Sequence, residues 1–209
     1  MTIKKTLWAI MSLFSISFAI VSWRFVFDYQ AFEQVRMAHF PVNFPVATYA
    51  HFVLGPVALA VGSFQFIHKL RISMPALHRT IGWIYALTCL SASSAAFLLA
   101  LNTKSGLMVS FGFGLMATVW FGVTTTALIT ALTGNYSAHQ RWMIRSFTMT
   151  FCGGVIFRVV FLGVFSHTFG WDYALCYSIG SWLCWIPGMI GLELWFRYKD
   201  KEKISFIAA

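Results

Sequence analysis

Charged residues are scarce in this sequence, because Asp, Glu, Lys and Arg together supply only 10% of its 209 residues. An ordinary soluble domain carries about 25%, so this shortage excludes a water-soluble globular fold. Hydrophobic residues make up 59% of the chain and aromatic residues 18%. Several apolar runs reach the roughly 20 residues that cross a bilayer as a helix. The sequence therefore predicts an integral membrane protein embedded in a lipid bilayer.

Acidic residues are the rarest charged group, with six in the whole chain. None lies in the middle of an apolar run, and Glu193 is near the end of the last one. This pattern argues against a transporter whose proton or sodium site is built from carboxylates. The formal net charge is +9, but Lys and Arg beside membrane spans are expected from topology alone. No nucleic-acid partner is therefore predicted.

Paired cysteines are also lacking. The four cysteines all fall inside apolar runs, and no two of them are spaced as C-x-x-C. We interpret them as small buried hydrophobic residues rather than as metal ligands or a disulfide framework.

The apolar runs predict an all-α fold with six transmembrane helices in a single membrane domain over residues 1–209. The first run is longer than a signal-peptide core and no cleavage site follows it, so we count it as a helix. Spans two to five are expected to form an up-down four-helix core. Pro75 suits a first helical turn, and Ser137 followed by Gln140 predicts a capping box at the start of span five. The six predicted spans cover residues 7–27, 46–67, 76–101, 107–133, 139–165 and 174–196.

Basic residues predict the orientation of the bundle. If both termini are cytoplasmic, eleven Lys and Arg residues lie on the cytoplasmic side and four lie elsewhere, as the positive-inside rule requires. This bias predicts a multi-pass protein of the inner, cytoplasmic membrane. The eleven are Lys4, Lys5, Lys69, Arg71, Arg79, Arg141, Arg145, Arg197, Lys199, Lys201 and Lys203; the four are Arg24, Arg36, Lys104 and Arg158.

Two short stretches resemble each other: PALHRTIGWIY at residues 75–85 and SAHQRWMIRS at residues 137–146. They place His78 and His139 in the first turn or so of spans three and five. These spans run in the same direction and are diagonal neighbours in an up-down core, so the two rings are expected at one depth. Two facing imidazoles at one depth are what bis-histidine ligation of a haem b requires. Alternatively, each ring simply lies in the interfacial layer of the bilayer.

The residues around these histidines fit the haem hypothesis. Gly82 has no side chain and would leave room for a flat ring. Three arginines lie close by and could pair with haem propionates through charge-assisted hydrogen bonds. Alternatively, they serve only topology and bind lipid phosphates. The three are Arg79, Arg141 and Arg145.

A second hypothesis is a zinc or copper site at the cytoplasmic face. His68, His78 and His139 supply three imidazoles, and the first two are separated by only a short loop. Three histidines can hold zinc with one position open.

A third hypothesis places a polar pocket near the opposite face of the membrane. His51 lies near the outer end of span two, and Arg158 lies in the outer half of span five. An arginine within a membrane needs a partner: a carbonyl, an anionic ligand, or a carboxylate such as Asp28 or Asp172. His51 and Arg158 could line an outward-facing pocket of a cofactor-free binding or transport protein. Its ligand would be a small anion, a quinone or a lipid head group.

Three segments give a resemblance to a known family: GSFQFIHKLRISMPALHRTIGWIY, HQRWMIRS and SWLCWIPGMIGLELWFR, in this order. They resemble the membrane proteins catalogued as domain of unknown function 2306. More distantly, the chain is similar to the transmembrane cytochromes b of the b-561 type, which use a four-helix core and diagonal histidine pairs. That likeness implies one haem at His78 and His139, an electron-transfer or oxidoreductase role, and a quinone or small redox partner. Span four has no histidine to complete a second pair.

Overall fold

The chain is described by a computed structural model, whose backbone covers residues 3–208 and whose side chains cover residues 6–202. Every regular element in that part of the chain is a helix. Six helical segments are long and apolar enough to cross a membrane, so the predicted six-span all-α fold is confirmed. The side chains of Lys4, Lys5 and Lys203, which contribute to the predicted charge bias, lie outside the described residues.

The spans agree with the prediction within a few residues at most ends. Spans one to six are Thr6–Phe27, Pro45–Phe66, Pro75–Leu101, Leu107–Leu132, Tyr136–Thr168 and Tyr173–Glu202. The helices in chain order are Ile3–Ser22, Arg24–Phe27, Gln30–Gln34, His39–Asn43, Pro45–Gly62, the 3₁₀ turn Ser63–Phe66, His68–Ser73, Pro75–Leu101, Leu107–Leu132, Tyr136–Phe151, the π-helix Cys152–Thr168, Tyr173–Leu183 and Ile186–Ala208.

Helix starts follow local chemistry, with one correction. Pro75 begins span three, as predicted, because a proline at the first helical position loses no hydrogen bond. Span five begins at Tyr136, and its N-cap is Asn135, whose side chain accepts from the backbone N–H of Ala138. The predicted capping box at Ser137 is therefore wrong. Asparagine caps as well as serine does, and it stands two residues earlier.

Spans two to five pack as an up-down bundle. Spans two and three, three and four, and four and five are antiparallel neighbours, and span five also contacts span two. Span one packs on span two, and the two halves of span six pack on spans four and five. Because the chain crosses the bundle six times, both ends of the described chain lie on the same face, which we call the terminus side. The link 28–44 lies on the other face, the first-loop side.

Span five changes from an α-helix to a π-helix at Cys152, where backbone bonds run from each N–H to the carbonyl five residues earlier. At its end, Phe169 N–H still donates to the carbonyl of Val164 at 3.0 Å. π-Helices are rare and usually last a single turn, often at functional sites. The paired glycines Gly153 and Gly154 weaken the competing α-helix. This π-helix carries Arg158.

Candidate functional site

A cavity of about 180 Å³ lies inside the first-loop half of the bundle. Spans two, three, four and five contribute to its wall, with Tyr177 from span six and Ser22 from span one. Most of the lining is apolar and much of it is aromatic. The polar or charged residues in the lining are Ser22, His51, Trp120, Thr103, Thr150, Arg158 and Tyr177.

Arg158 lines the cavity from the π-helix. Its Nη1 donates to the carbonyl of Gly153 at 2.8 Å and to that of Gly154 at 3.2 Å. Among the described residues, its Nε and Nη2 have no hydrogen-bond partner, and no carboxylate forms an ion pair with it. Of the three predicted kinds of partner, the structure gives carbonyls to this cavity-lining side chain, and the donors of its Nε and Nη2 are not used by any described residue.

The two carboxylates suggested as partners of Arg158 are engaged elsewhere. Asp28 accepts a hydrogen bond from the backbone N–H of Gln30 at 2.9 Å. Asp172 is the N-cap of span six and accepts from Leu175 N–H at 2.8 Å. Both therefore stabilise local backbone structure in the connecting segments.

His51 lines the same cavity from span two. Its Nδ1 lies 3.0 Å from the carbonyl oxygen of Ala92 on span three. Since a carbonyl can only accept, Nδ1 carries the hydrogen. In the neutral ring Nε2 is then an acceptor, and it has no partner among the described residues.

Tyr177 is a polar residue of this cavity that the sequence did not single out. The residue is 8% exposed, and its ring packs edge-on against Phe113 and Phe157. No described residue hydrogen-bonds its hydroxyl. The available signal was weak, since a tyrosine within an apolar span is more often a packing residue.

A buried hydrogen-bond cluster forms the floor of the cavity on the terminus side. The hydroxyl of Tyr85 lies 2.9 Å from Ser146 Oγ and 3.1 Å from Thr150 Oγ1, which joins span three to span five across the core. Thr124 of span four lies 2.7 Å from Ser146 Oγ. Thr150 both belongs to this cluster and lines the cavity.

The roof of the cavity comes from the first loop. Met37 and Phe40 line it, and Phe40 is buried with Phe32, Phe52 and Leu99 in an aromatic cluster. The neighbouring His39 lies outside the spans. Burial lowers the pKa of its imidazole, and the nearby positive charge of Lys104 lowers it further. His39 is therefore largely neutral at pH 7.

The predicted cytoplasmic histidines lie at the terminus side, as the shared depth of their helix starts requires. His139 Nδ1 donates to the carbonyl of Ala127 at 2.8 Å, which leaves Nε2 as the acceptor. His78 Nδ1 is buried and has no hydrogen-bond partner among the described residues. His68 begins the short helix His68–Ser73. Within the part of the chain that is described, no three His, Cys, Asp or Glu residues form a metal-binding group, so the three histidines are not assembled into a zinc or copper site.

The space predicted for a haem ring is partly filled. A Cβ at Gly82 would meet the side-chain oxygen of Gln65 at 3.4 Å. The Gln65 amide also lies 3.5 Å from the carbonyl of His78. The position opposite Gly82 is therefore taken by a side chain of span two.

Two of the three arginines predicted as propionate partners are held by carboxylates of span six. Arg145 makes two bonds to Glu193, at 2.6 and 2.9 Å, and its guanidinium lies over the ring of Trp142. Arg141 contacts both carboxylate oxygens of Asp200 at 2.7 Å. Arg79 is exposed and has no ion pair among the described residues. Of these three arginines, Arg79 is thus the one whose guanidinium has no carboxylate partner in the described part of the chain.

Comparison with known proteins gives a family. The family model described as a predicted membrane protein, DUF2306, matches residues 48–196. That range holds spans three to five, most of spans two and six, and every polar cavity residue except Ser22. No curated protein and no solved structure matches the chain. More than half of the chain fits the family model, and the chain belongs to the membrane protein family DUF2306.

Proposed function

We propose that this protein is a membrane binding or transport protein whose cavity at Arg158 takes a small ligand with an acidic oxygen. The observation that carries the proposal is a guanidinium that faces an apolar cavity without a carboxylate partner among the described residues. A charged residue within a bilayer costs about 2.5–3.5 kcal/mol even when its chain can adjust. An anionic ligand would offset that cost, because it supplies the missing opposite charge.

The shape of the cavity supports a compact ligand. An apolar cavity of about 150 Å³ is known to bind benzene, and this one is about 180 Å³. The walls include Phe52, Phe113 and Trp120, whose rings suit a flat apolar body. The ligand is therefore a molecule somewhat larger than benzene, with its acidic group directed at Arg158.

Access is expected from the first-loop side. The hydrogen-bonded Tyr85 cluster and Phe147 fill the core below the cavity, whereas the roof is made by short helices of the link. Transport through the bundle would require the Tyr85 cluster to open. Binding needs no such opening, because Met37 and Phe40 of the link line the cavity on the first-loop side.

A matched pair of probes tests the proposal. Benzoate and benzyl alcohol are similar in size, and only benzoate is anionic. We expect calorimetric titration of the detergent-purified protein to show tighter binding of benzoate, and the Arg158→Met variant to lose that preference. The Arg79→Ala variant removes an exposed arginine and should behave like the wild type. The proposal fails if the wild type binds neither probe, or binds both equally.

Haem b ligation by His78 and His139 is a second candidate, favoured by one observation. The hydrogen bond from His139 Nδ1 to a backbone carbonyl is the arrangement that leaves Nε2 free to ligate a metal. The test is the visible spectrum of protein made with adequate haem supply, oxidised and dithionite-reduced. A sharp reduced α-band that disappears in both His78→Ala and His139→Ala variants would support a haem and a quinone or redox partner. A colourless protein would remove this candidate.

The cytoplasmic location of both termini, and with it residence in an inner membrane, is proposed from the basic residues of the terminus side. Labelling of single cysteines in a cysteine-free variant tests it. The Tyr198→Cys variant should be protected from an impermeant reagent in intact cells, and the Lys104→Cys variant should react. The opposite pattern would reverse the orientation.

A further inference from the structure

We infer that the ligand of the cavity is an aromatic hydroxy acid, whose carboxylate contacts Arg158 and whose hydroxyl donates to His51. This inference rests on the proposed function and names the substrate class of the same cavity. It follows from the donors and acceptors that Arg158, His51 and Tyr177 leave without a partner in the lining of the cavity.

His51 is an acceptor where it faces the cavity. Its Nδ1 hydrogen is committed to the carbonyl of Ala92, a residue that is fully buried in span three. Nε2 therefore presents a lone pair. A carboxylate placed against that lone pair would be repelled, whereas a hydroxyl would be bound. The group of the ligand that meets His51 must consequently be a donor.

Arg158 requires the opposite chemistry. A guanidinium has five donors and no acceptor, and only its Nη1 is used by backbone carbonyls. A carboxylate satisfies the remaining nitrogens and the charge together. The hydroxyl of Tyr177, which is nearly buried and has no described partner, can donate to the same carboxylate. One end of the ligand is thus an acid and another part is a hydroxyl.

The body between these groups is expected to be a ring. Phe52, Phe113, Phe157 and Trp120 line the same cavity as Arg158 and His51. Phe113 and Phe157 meet edge to face, with centroids 5.2 Å apart, so a flat aromatic ligand meets faces and edges of rings on several sides. A flexible chain would leave those surfaces less completely covered and would lose more entropy on binding.

The experiment compares four probes on the wild-type protein: benzoate, 4-fluorobenzoate, 3-hydroxybenzoate and 4-hydroxybenzoate. Fluorine is small and cannot donate, so the fluoro compound controls for the added substituent. We expect at least one hydroxybenzoate to bind about three- to tenfold more tightly than both benzoate and 4-fluorobenzoate. This is the gain in affinity that one neutral hydrogen bond gives. The series needs no variant, so a folding defect cannot obscure it.

The His51→Phe variant assigns the effect to its residue. It removes the acceptor and keeps a ring, and we expect it to bind benzoate like the wild type while it loses the preference for the hydroxyl. If benzoate binds and neither hydroxybenzoate binds more tightly, the inference is overturned and the proposed function stands. If the preference survives in His51→Phe, the assignment to His51 is wrong. If no aromatic acid binds the wild type, the inference and the proposed function both fall.

Discussion

Arg158 donates to the carbonyl of Gly153, five residues earlier in its own helix, at 2.8 Å. A step of five residues is also the spacing of backbone hydrogen bonds in a π-helix. The guanidinium of Arg158 therefore folds back along span five instead of reaching toward the membrane surface. An arginine that could extend to the interface would normally do so. Here it stays beside the cavity, where its unused nitrogens define the most polar part of the lining.

A lysine at this position should not replace the arginine. The ammonium group is a compact charge with three donors and cannot contact two carbonyls and a carboxylate in a planar, forked geometry. We expect Arg158→Lys to keep the fold and to weaken benzoate binding about tenfold, which calorimetric titration measures. Undiminished affinity in Arg158→Lys would show that charge alone suffices at this position.

Filling the cavity from span two should block the ligand without harming the protein. A Cβ at Gly55 meets nothing within 4 Å, and Gly55 lines the cavity. Gly55→Leu should therefore abolish benzoate binding while leaving the melting temperature equal or higher, because leucine favours helix more than glycine by about 1 kcal/mol.

Gly122 gives the matched control for that substitution. It also has no atom within 4 Å of an added Cβ, but it is exposed on span four and does not line the cavity. Gly122→Leu should bind benzoate like the wild type. Equal loss of binding in both variants would mean that the leucine acts through the helix and not through the cavity.

The Tyr85 cluster should stabilise the core. Tyr85→Phe removes a hydroxyl that contacts both Ser146 and Thr150, and it leaves their oxygens with fewer partners in a fully buried layer. We expect a loss of about 1 kcal/mol, seen as a lower melting temperature in detergent. Tyr49→Phe removes a hydroxyl on an exposed side chain that has no described hydrogen bond, and it should leave the melting temperature unchanged. Equal melting of both variants and the wild type would argue that the cluster contributes no stability.

The two ion pairs between spans five and six should differ in strength. The side chain of Arg145 is 14% exposed and makes two bonds to Glu193, whereas Arg141 is 40% exposed in its pair with Asp200. A double-mutant cycle with Arg145→Gln and Glu193→Gln should give a coupling of about 1 kcal/mol. The corresponding cycle at Arg141 and Asp200 should give less, because water screens an exposed pair. A larger coupling at the exposed pair would contradict this ranking.

The number and the bounds of the spans could be predicted because they depend on long apolar runs. Spans three and four end within one residue of the predicted positions, since Pro75 and the polar link at residues 102–106 mark their ends. The start of span five was predicted less well. Asn135 and Ser137 are both good N-caps, and nothing in one sequence decides between them.

The rotation of each helix about its axis could not be predicted. The pattern of apolar residues does not fix which side chains face the core, and the structure brings Tyr85 of span three against Ser146 of span five there. What the pattern could not show is that Gln65 of span two lies beside Gly82, because that contact depends on packing between helices. The ion pair of Arg145 with Glu193 was missed for the same reason.

The polar pocket was predicted from two residues and not from its shape. Arg158 and His51 stood out because polar side chains within a membrane need a reason, and both line the cavity. Tyr177 and the π-helix gave no comparable signal, because a tyrosine and a valine-rich run are ordinary in an apolar span.

The most direct test of the cavity as a binding site is the crystal structure of the protein with 4-bromobenzoate, in which the anomalous scattering of bromine locates the probe. We expect a bromine peak inside the cavity walled by spans two to five, with the carboxylate in contact with the Arg158 guanidinium. A bromine peak elsewhere in the bundle, or an empty cavity at a saturating concentration of the probe, would contradict it.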